Sequence, residues 1–441
     1  MLEAYLAARA QLELDEARGL DAVAGAQELT RRFSFLAEDE AHEIAASLSP
    51  SAPVEAQESA AMRTHLLAFR ELLPRARAAA IRTAILTDRF PLAGKPMSWP
   101  EVAPRLSMGR TGHGLDEGLA RAASPHVREL TELAVGCAGE VPLEGVATAD
   151  RWLAATDDLQ QAAKEHVAPE ASELASWMAA LAKDSPWSPR GRLRRAAERM
   201  FPLGLSSLLQ RVQLLPPRRD VLFGVRVVSV RPPHDLRMAP PAADLGALSE
   251  VDAAHAVGRA VAQLLVAPAL PAALRWNSDA TVPQVFGGLS SQVLFTNDSL
   301  TACLSARERD QQRRRLGALL LTAVRSAAAY ASWAGSERSA AGAGERSSRA
   351  LGLSVDPDLA LLLAPSPVEA VALFRGAHDA LAIWAALREM LDQDWYKNPR
   401  AADVLRSAAG RGAGLSSQEW LAELGGESDL ALARAHELFP S

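Results

Sequence analysis

One stretch decides how the rest of the chain is interpreted: residues 249–297, SEVDAAHAVGRAVAQLLVAPALPAALRWNSDATVPQVFGGLSSQVLFTN. Its first half predicts a helix on which His255 and Arg259 lie one turn apart, because an α-helix has 3.6 residues per turn. Its second half contains Gln284, which we expect on a later helix. The fold and the candidate site are both inferred outward from this pair of segments.

The spacing of these residues matches the frame of a zinc site of the H-E-x-x-H type. Such a site needs two histidines one helical turn apart, a glutamate beside the first as general base, and a third ligand from a later helix. Here His255 occupies the first position, Ala256 the position of the base and Arg259 that of the second histidine, and Gln284 follows His255 by 29 residues. A guanidinium is a permanent cation that repels Zn²⁺, and one imidazole with one amide does not hold the ion. We therefore expect no metal and no other cofactor.

Composition excludes several classes of protein. With 49% hydrophobic and 23% charged residues the chain is globular, and 441 residues suffice for one large or two medium domains. A net charge of −6 provides no basic surface for nucleic acid. The two cysteines, Cys137 and Cys303, are expected to be buried thiols rather than a disulfide framework. Because the N-terminus lacks a signal pattern and the most apolar run, residues 316–335, is interrupted by Arg325, we expect a cytoplasmic protein outside the membrane.

The order of patterns along the chain predicts a mainly α fold. Residues 1–200 consist of amphipathic helical segments and are expected to form an N-terminal helical domain, followed by a second domain over residues 201–441. The convincing strand signal is DVLFGVRVVSVRPP at 220–233, where β-branched residues dominate until two prolines end the run. A second short extended piece follows near 236–239. The Gly-, Ser- and Ala-rich segment 334–349 is expected to be a mobile loop.

Five segments form a recognisable series along the chain: WLAATDDLQQAAKEHV at 152–167, the strand region 220–231, DAAHAVGRAV at 252–261, ALRWNSDATVPQVFGGL at 273–289 and the C-terminal segment 383–426. In this order they resemble a known family, the gluzincin oligopeptidases of the thimet oligopeptidase and oligoendopeptidase F type. The resemblance implies a zincin-like fold, a bowl-like bundle of helices with a small β-sheet beside the former active-site helix, and a groove between an N-terminal helical portion and a peptidase-like portion.

The resemblance also implies residue roles. His255 matches the first metal ligand, Ala256 replaces the catalytic base, Arg259 replaces the second ligand and Gln284 replaces the third. The family's oxyanion-stabilising tyrosine has no counterpart in FRGAHDALAIW at 374–384. Because these functions are missing together, the chain is predicted to be a pseudopeptidase, an inactive homologue with a degenerate H-E-x-x-H motif.

Binding is the function predicted for such a scaffold. The family's groove binds an extended peptide along a sheet edge, so this chain is expected to bind a peptide or protein segment in the same way, as a regulatory, scaffold or partner subunit. An active related peptidase and a second copy of the chain are further candidate partners. The expected ligand-binding residues are His255, Arg259, Asp279, Gln284, Val225 and Val227.

Alternatives remain open at this level. The fold can be reused as an enzyme with an unorthodox site, for which Asp252 and His255, three residues apart on one helix, allow a weak metal pair. It can also serve as a structural subunit whose groove is filled by its own side chains. Arg259 is expected to pair with Asp252, Glu250 or Asp279.

Overall fold

The structure is a computed structural model of the chain. It describes all residues except 1, 39–40, 42, 44–52, 93–94, 109–113, 137–142, 184, 189, 201, 219–223, 277–280, 297–299, 301–304 and 439–441. The predictions for Cys137, Cys303 and Asp279, and for the first residues of the 220–233 strand, lie outside the described residues.

Helices dominate the described chain, which confirms the mainly α prediction. The N-terminal helices are α1 Leu2–Ala17, α2 Ala22–Arg32, α3 Pro53–Arg70, α4 Leu72–Thr87, α5 Trp99–Ser107, α6 Leu115–Ala123, α7 Val127–Gly136, α8 Leu143–Ala155, α9 Asp157–Val167, α10 Leu174–Ala182 and α11 Arg192–Glu198. The remaining helices are α12 Ala247–Leu264, α13 Ala272–Arg275, α14 Thr281–Gln292, α15 Ala306–Ala334, α16 Ala340–Leu351, α17 Pro357–Leu363, α18 Pro367–Met390, α19 Pro399–Gly410, α20 Ser417–Glu423 and α21 Leu430–Leu438.

Two small sheets complete the fold. Strands β1 Phe90–Leu92 and β2 Lys95–Met97 form an antiparallel pair. Strands β3 Val212–Leu214, β4 Arg226–Arg231 and β5 Asp235–Ala239 form a three-stranded sheet in the order β3-β5-β4. Strand β4 is antiparallel to β5 and β3 is parallel to it, so β4 lies at an edge. The two predicted extended segments are thus confirmed where they are described.

The three-stranded sheet is covered differently on its two faces. Successive side chains of a strand point to opposite faces. Val228 packs with Leu14 and Ala17 of α1, whereas Val225 and Val227 belong to the main apolar core. The N-terminal helix α1 therefore covers one face of the sheet, and α12 lies beneath the other.

Three helices in close contact, α12, α14 and α18, form the centre of the molecule. A Cβ atom at Gly258 of α12 would lie 2.1 Å from the main-chain oxygen of Phe286 in α14. A Cβ atom at Gly288 of α14 would lie 2.5 Å from Cβ of Ala380 in α18. Glycine is needed at these positions because the helices approach within distances that a side chain would prevent. This contact fixes Arg259 and Gln284 relative to each other.

The main apolar core contains residues from both sides of position 200. It contains Leu153 and Trp177 from the N-terminal part together with Val261, Leu294 and Phe374 from the C-terminal part. The predicted division of the chain into 1–200 and 201–441 stays a prediction.

The segment 334–349 is not a loop, so that prediction was wrong. Most of it lies in α16, where the Ser339 side chain accepts a hydrogen bond from the Gly342 main chain and caps the helix. Its small residues serve packing, since a Cβ atom at Gly344 would lie 2.9 Å from Cα of Pro357. Composition alone did not distinguish a closely packed helix from a flexible segment.

Helix α18 is the one described helix that is long and apolar enough to cross a membrane. The apolar window responsible is 78% buried inside the protein, as in the central helix of a packed core. The apolar run at 316–335 forms the C-terminal part of α15, from residue 316 to its end, and is likewise largely buried.

Candidate functional site

A large cavity of about 490 Å³ separates the N-terminal helices from α12, α14 and strand β4. Helices α1, α4 and α7 form one side, and the segment from the end of α17 into α18 forms another. Gly224 and Val225 just before β4 and Val227 within it line the cavity, as do Arg259 and Gln284. Four of the six predicted ligand-binding residues therefore lie around one cavity: Val225, Val227, Arg259 and Gln284. Whether they bind a ligand stays a prediction.

One face of α12 carries the polar residues of this region. At about 100° per residue, Asp252, His255 and Arg259 lie within a narrow sector of the helix, whereas Glu250 lies on the opposite side from Arg259. The charge of Arg259 acts on both Asp252 and His255. Of the predicted partners of Arg259, Asp252 is thus on the correct face and Glu250 is not.

Glu250 has other partners, which corrects the predicted pairing with Arg259. Its buried carboxylate accepts hydrogen bonds from Arg195 at 2.8 Å and Arg199 at 3.2 Å, and lies 3.3 Å from Nε of Arg192. All three arginines come from α11 or its C-terminal end. The cluster joins α11 to the first turn of α12 on the side away from the cavity, because three cations compensate the cost of burying one carboxylate.

His255 is packed between two helices. A Cβ atom at Gly287 of α14 would lie 2.6–2.8 Å from three atoms of the His255 ring. Burial, together with the nearby charge of Arg259, lowers the pKa of His255 from 6.5 to about 3. The imidazole is therefore neutral near pH 7. His255 is not among the residues that line the cavity. Ala256 is buried in the main core.

Gln284 differs from His255 in facing the cavity. Its residue is only 6% exposed, and its Oε1 atom has no hydrogen-bond partner among the described residues. The helix contact behind it is tight, since a Cβ atom at Gly376 would lie 2.1 Å from Cβ of Gln284. The side chain is thus supported from behind by α18 and leaves an acceptor oxygen near the cavity.

These residues do not fit a zinc ion. The residue of α14 that faces the imidazole is Gly287, which has no side chain, and Gln284 lies one turn earlier. Arg259 brings a positive charge where a second imidazole would donate electrons. No group of three or more His, Cys, Asp or Glu side chains with the spacing of a metal site occurs within the described ranges. A closed or catalytic zinc site needs at least three protein ligands, and this set supplies one.

Asp252 connects α12 to the sheet. Its Oδ2 atom accepts a hydrogen bond of 2.7 Å from the main chain of Val225, immediately before β4. Burial raises the pKa of Asp252 to about 6, although the Val225 hydrogen bond and the charge of Arg259 favour the ionised form. The carboxylate thereby fixes where β4 begins along the cavity wall.

The sequence patterns did not identify the other charged residues of the cavity. Besides Arg259, five arginines and three glutamates line it among the described residues: Arg9, Arg75, Arg82, Arg218, Arg226, Glu13, Glu16 and Glu369. They come from several separate elements, so spacing along the chain gave no sign of their proximity. Arg226 illustrates the point. It lies within the predicted strand segment 220–233, yet its Nη2 donates to Glu16 of α1 at 2.7 Å.

A buried polar cluster on α18 was also missed. The Asp379 carboxylate accepts a hydrogen bond from Ser417 Oγ, and its other oxygen lies 2.9 Å from His378 Nδ1. Nucleophilic catalysis needs the imidazole between the serine and the acid. Here the acid lies between the other two, so the cluster is a structural link between α18 and α20. No tyrosine is found among the described residues that line the cavity.

Comparison with known proteins gives a consistent result for the fold. No protein-family model and no curated protein sequence matches the chain. The structure is similar to that of an M32 carboxypeptidase from Deinococcus radiodurans R1, with TM-score 0.57 and 14% identity over 100% of this chain and 97% of that one. It is also similar to a protein described as oligoendopeptidase F, with TM-score 0.64 and 10% identity over 98% of this chain and 90% of that one.

The chain has the fold of these metallopeptidases. A third structure, PZ peptidase A with an inhibitor, agrees, with TM-score 0.61 and 10% identity over 93% of this chain and 87% of that one. The expected zincin-like fold, mainly helical with a small sheet, is therefore confirmed. At these identities the similarity concerns the fold, and the chemistry has to be argued from the residues of this chain.

Proposed function

We propose that this protein is a pseudopeptidase that binds a peptide or protein segment in its central cavity and does not hydrolyse it. The observation that carries the proposal is the open cavity of about 490 Å³ on a peptidase fold, with Arg259 and Gln284 in its wall. Cavities of this size, roughly 300–1,000 Å³, are typical of ligand sites. An open cavity also speaks against a purely structural subunit whose groove is filled by its own side chains.

The position of β4 supports peptide binding. Because β5 is the central strand, β4 has a strand partner on one side, and its first residues line the cavity. An extended peptide adds to such an edge through main-chain hydrogen bonds, while alternate side chains enter pockets. Val225 and Val227 then supply the apolar surface beside the added strand.

The chemistry of α12 supports the absence of hydrolysis. Ala256 has no proton-accepting group, and Arg259 opposes the binding of a divalent cation. The same proposal includes an active related peptidase or a second copy of the chain as larger partners, and a cytoplasmic location.

A paired assay of metal and peptide tests this function. We expect purified protein to contain zinc far below one equivalent and to leave quenched fluorogenic peptides uncut, with or without added zinc or chelator. Stoichiometric zinc with chelator-sensitive cleavage would overturn the proposal in favour of an enzyme with an unorthodox site.

Binding is tested with a cavity-filling variant. Labelled peptide mixtures of five to ten residues are titrated with the protein and followed by fluorescence anisotropy. Ala79 of α4 lines the cavity and Ala80 next to it is exposed outside it. Ala79→Trp is expected to weaken binding at least tenfold, whereas Ala80→Trp controls for a tryptophan on the same helix. Equal binding by both variants would place the peptide elsewhere.

A further inference from the structure

We propose that the cavity wall formed by Arg259 and Gln284 recognises a carboxylate of the bound peptide together with a neighbouring main-chain N–H. The inference rests on the proposed function, since it names the chemical group that the cavity selects. It concerns the two residues that replace metal ligands of the zinc-site pattern and that line the cavity.

The charge of the cavity is the first observation. Among the lining residues that the structure describes, six arginines against three glutamates leave an excess of three positive charges. A concave, partly desolvated surface of one sign concentrates ligands of the opposite sign and raises their rate of association. Arg259 lines the cavity and carries five N–H donors in a planar fork that matches the two oxygens of a carboxylate.

The buried acceptor of Gln284 is the second observation. Its Oε1 atom has no hydrogen-bond partner in the described part of the chain, and its residue is 6% exposed. A buried carbonyl oxygen without a donor is costly, and a ligand N–H removes that cost. Arg259 supplies donors and Gln284 supplies an acceptor. A carboxylate with an amide N–H close by, as at the end of a peptide or at an acidic residue within it, satisfies both.

The apolar part of the wall defines what accompanies the carboxylate. Leucines from four helices line the cavity, among them Leu12, Leu72, Leu133 and Leu362. Apolar side chains of the ligand gain free energy by contacting them. The expected ligand is therefore a peptide with apolar residues close to one carboxylate, and a neutral or basic peptide is selected against.

Two sources supply the same carboxylate, and the peptides distinguish them. The probes are pentapeptide mixtures rich in Leu, Val and Phe, labelled at the N-terminus with a dansyl group, which carries no carboxylate and no negative charge. One mixture has a free C-terminus, one has a C-terminal amide, and one has a C-terminal amide with a single internal Asp or Glu. Binding of the first alone assigns the carboxylate to the C-terminus. Tight binding of the third assigns it to an acidic side chain.

We expect at least one carboxylate mixture to bind wild-type protein about 10- to 100-fold more tightly than the neutral amide, because a charge-assisted hydrogen bond has about this effect. Raising the salt concentration from about 50 to 500 mM should reduce the difference. This comparison needs no variant, so a variant that fails to fold does not affect it.

Variants then separate the two roles. Arg259→Gln is expected to abolish the preference for carboxylate, and Arg259→Lys to retain part of it, because the charge remains while the planar fork is lost. Gln284→Met is expected to weaken the carboxylate and amide mixtures alike, since it removes the acceptor for a main-chain N–H. Arg77→Gln, an exposed arginine of α4 outside the cavity lining, is the matched control.

The outcomes distinguish this inference from the proposed function. Equal affinity of wild-type protein for carboxylate and amide mixtures, both weakened by Ala79→Trp, would overturn carboxylate recognition and leave peptide binding intact. A preference for carboxylate that Arg77→Gln reduces as much as Arg259→Gln would remove the assignment to Arg259. Failure of every mixture to bind would overturn both.

Discussion

Protonation of two neighbours on α12 should affect stability in opposite directions. The ordinary pKa of His255 is 6.5 and its pKa in the folded protein is about 3. Between these values the unfolded chain binds a proton at this residue and the folded chain does not, so stability falls as pH falls. Each pH unit corresponds to about 1.4 kcal/mol, which gives about 3 kcal/mol between pH 6.5 and pH 4.

The contribution of Asp252 to stability changes with pH in the opposite direction. Its pKa rises from 3.8 to about 6 on folding, so between these values the folded chain binds the proton and the unfolded chain does not. Its contribution to stability is present at low pH and is lost as pH rises, by about 3 kcal/mol between pH 4 and pH 6. The contributions of His255 and Asp252 nearly cancel over this interval, and wild-type protein shows little sign of either.

Neutral substitutions make the two contributions visible. Relative to His255→Gln, wild-type protein should lose about 3 kcal/mol of unfolding free energy between pH 7 and pH 4. Relative to Asp252→Asn, wild-type protein should gain about 3 kcal/mol of unfolding free energy when the pH falls from 7 to 4. The double variant should follow the wild-type profile between pH 4 and pH 6.

Urea unfolding followed by tryptophan fluorescence at pH 4, 5, 6 and 7 measures these differences, because comparing variants at each pH removes the contribution of all other titrating groups. Selective ¹³C labelling of histidine gives the pKa of His255 directly, with His255→Gln assigning the signal. Parallel pH profiles for His255→Gln and wild-type protein, or an imidazole that titrates near pH 6.5, would refute the packed neutral histidine described above.

Three further predictions concern close helix packing and a buried, hydrogen-bonded arginine. Gly287→Ala should destabilise the protein by about 1–3 kcal/mol, because the added methyl group meets the His255 ring. The same substitution should destabilise a His255→Ala variant less, and urea unfolding midpoints of the two single variants and the double variant will measure the difference. Gly258→Ala should cost more than Gly287→Ala in the same assay, because its Cβ would meet a main-chain oxygen at 2.1 Å and no side chain can rotate away. Arg325→Met should lower thermal stability by the equivalent of about 3–5 kcal/mol, since this buried guanidinium donates five hydrogen bonds, whereas exposed Arg349→Met should cost under about 1 kcal/mol.

Local patterns were sufficient for the elements around the candidate site. The β-branched run of residues 226–231 and the two prolines after it defined β4, because strand propensity and proline act over a few residues. Helical periodicity placed Asp252, His255 and Arg259 on one face of α12. The same periodicity, applied strictly, would have excluded Glu250 as a partner of Arg259.

Tertiary contacts account for what the sequence did not reveal. Helix α16 has the composition of a loop and becomes a helix through its cap and its close contact with Pro357. The cavity arginines lie far apart in sequence and meet only because α1, α4 and β4 surround one space. Likewise, the proximity of Gly287 to His255 depends on the crossing of two helices, which no spacing along the chain specifies.

The three polar residues of the α12 face explain how this fold is stable around residues that do not fit a metal. His255 packs against α14 as a neutral ring, and Asp252 holds the first residue before β4 by a main-chain hydrogen bond. Arg259 places a fixed cation in the cavity wall, and its charge favours the ionised form of Asp252. Each side chain thus interacts with a different neighbour, so helix, sheet and cavity are joined without a shared ion. A site built in this way keeps a positive charge beside β4 and has alanine at position 256, which agrees with the proposed recognition of an anionic peptide without hydrolysis.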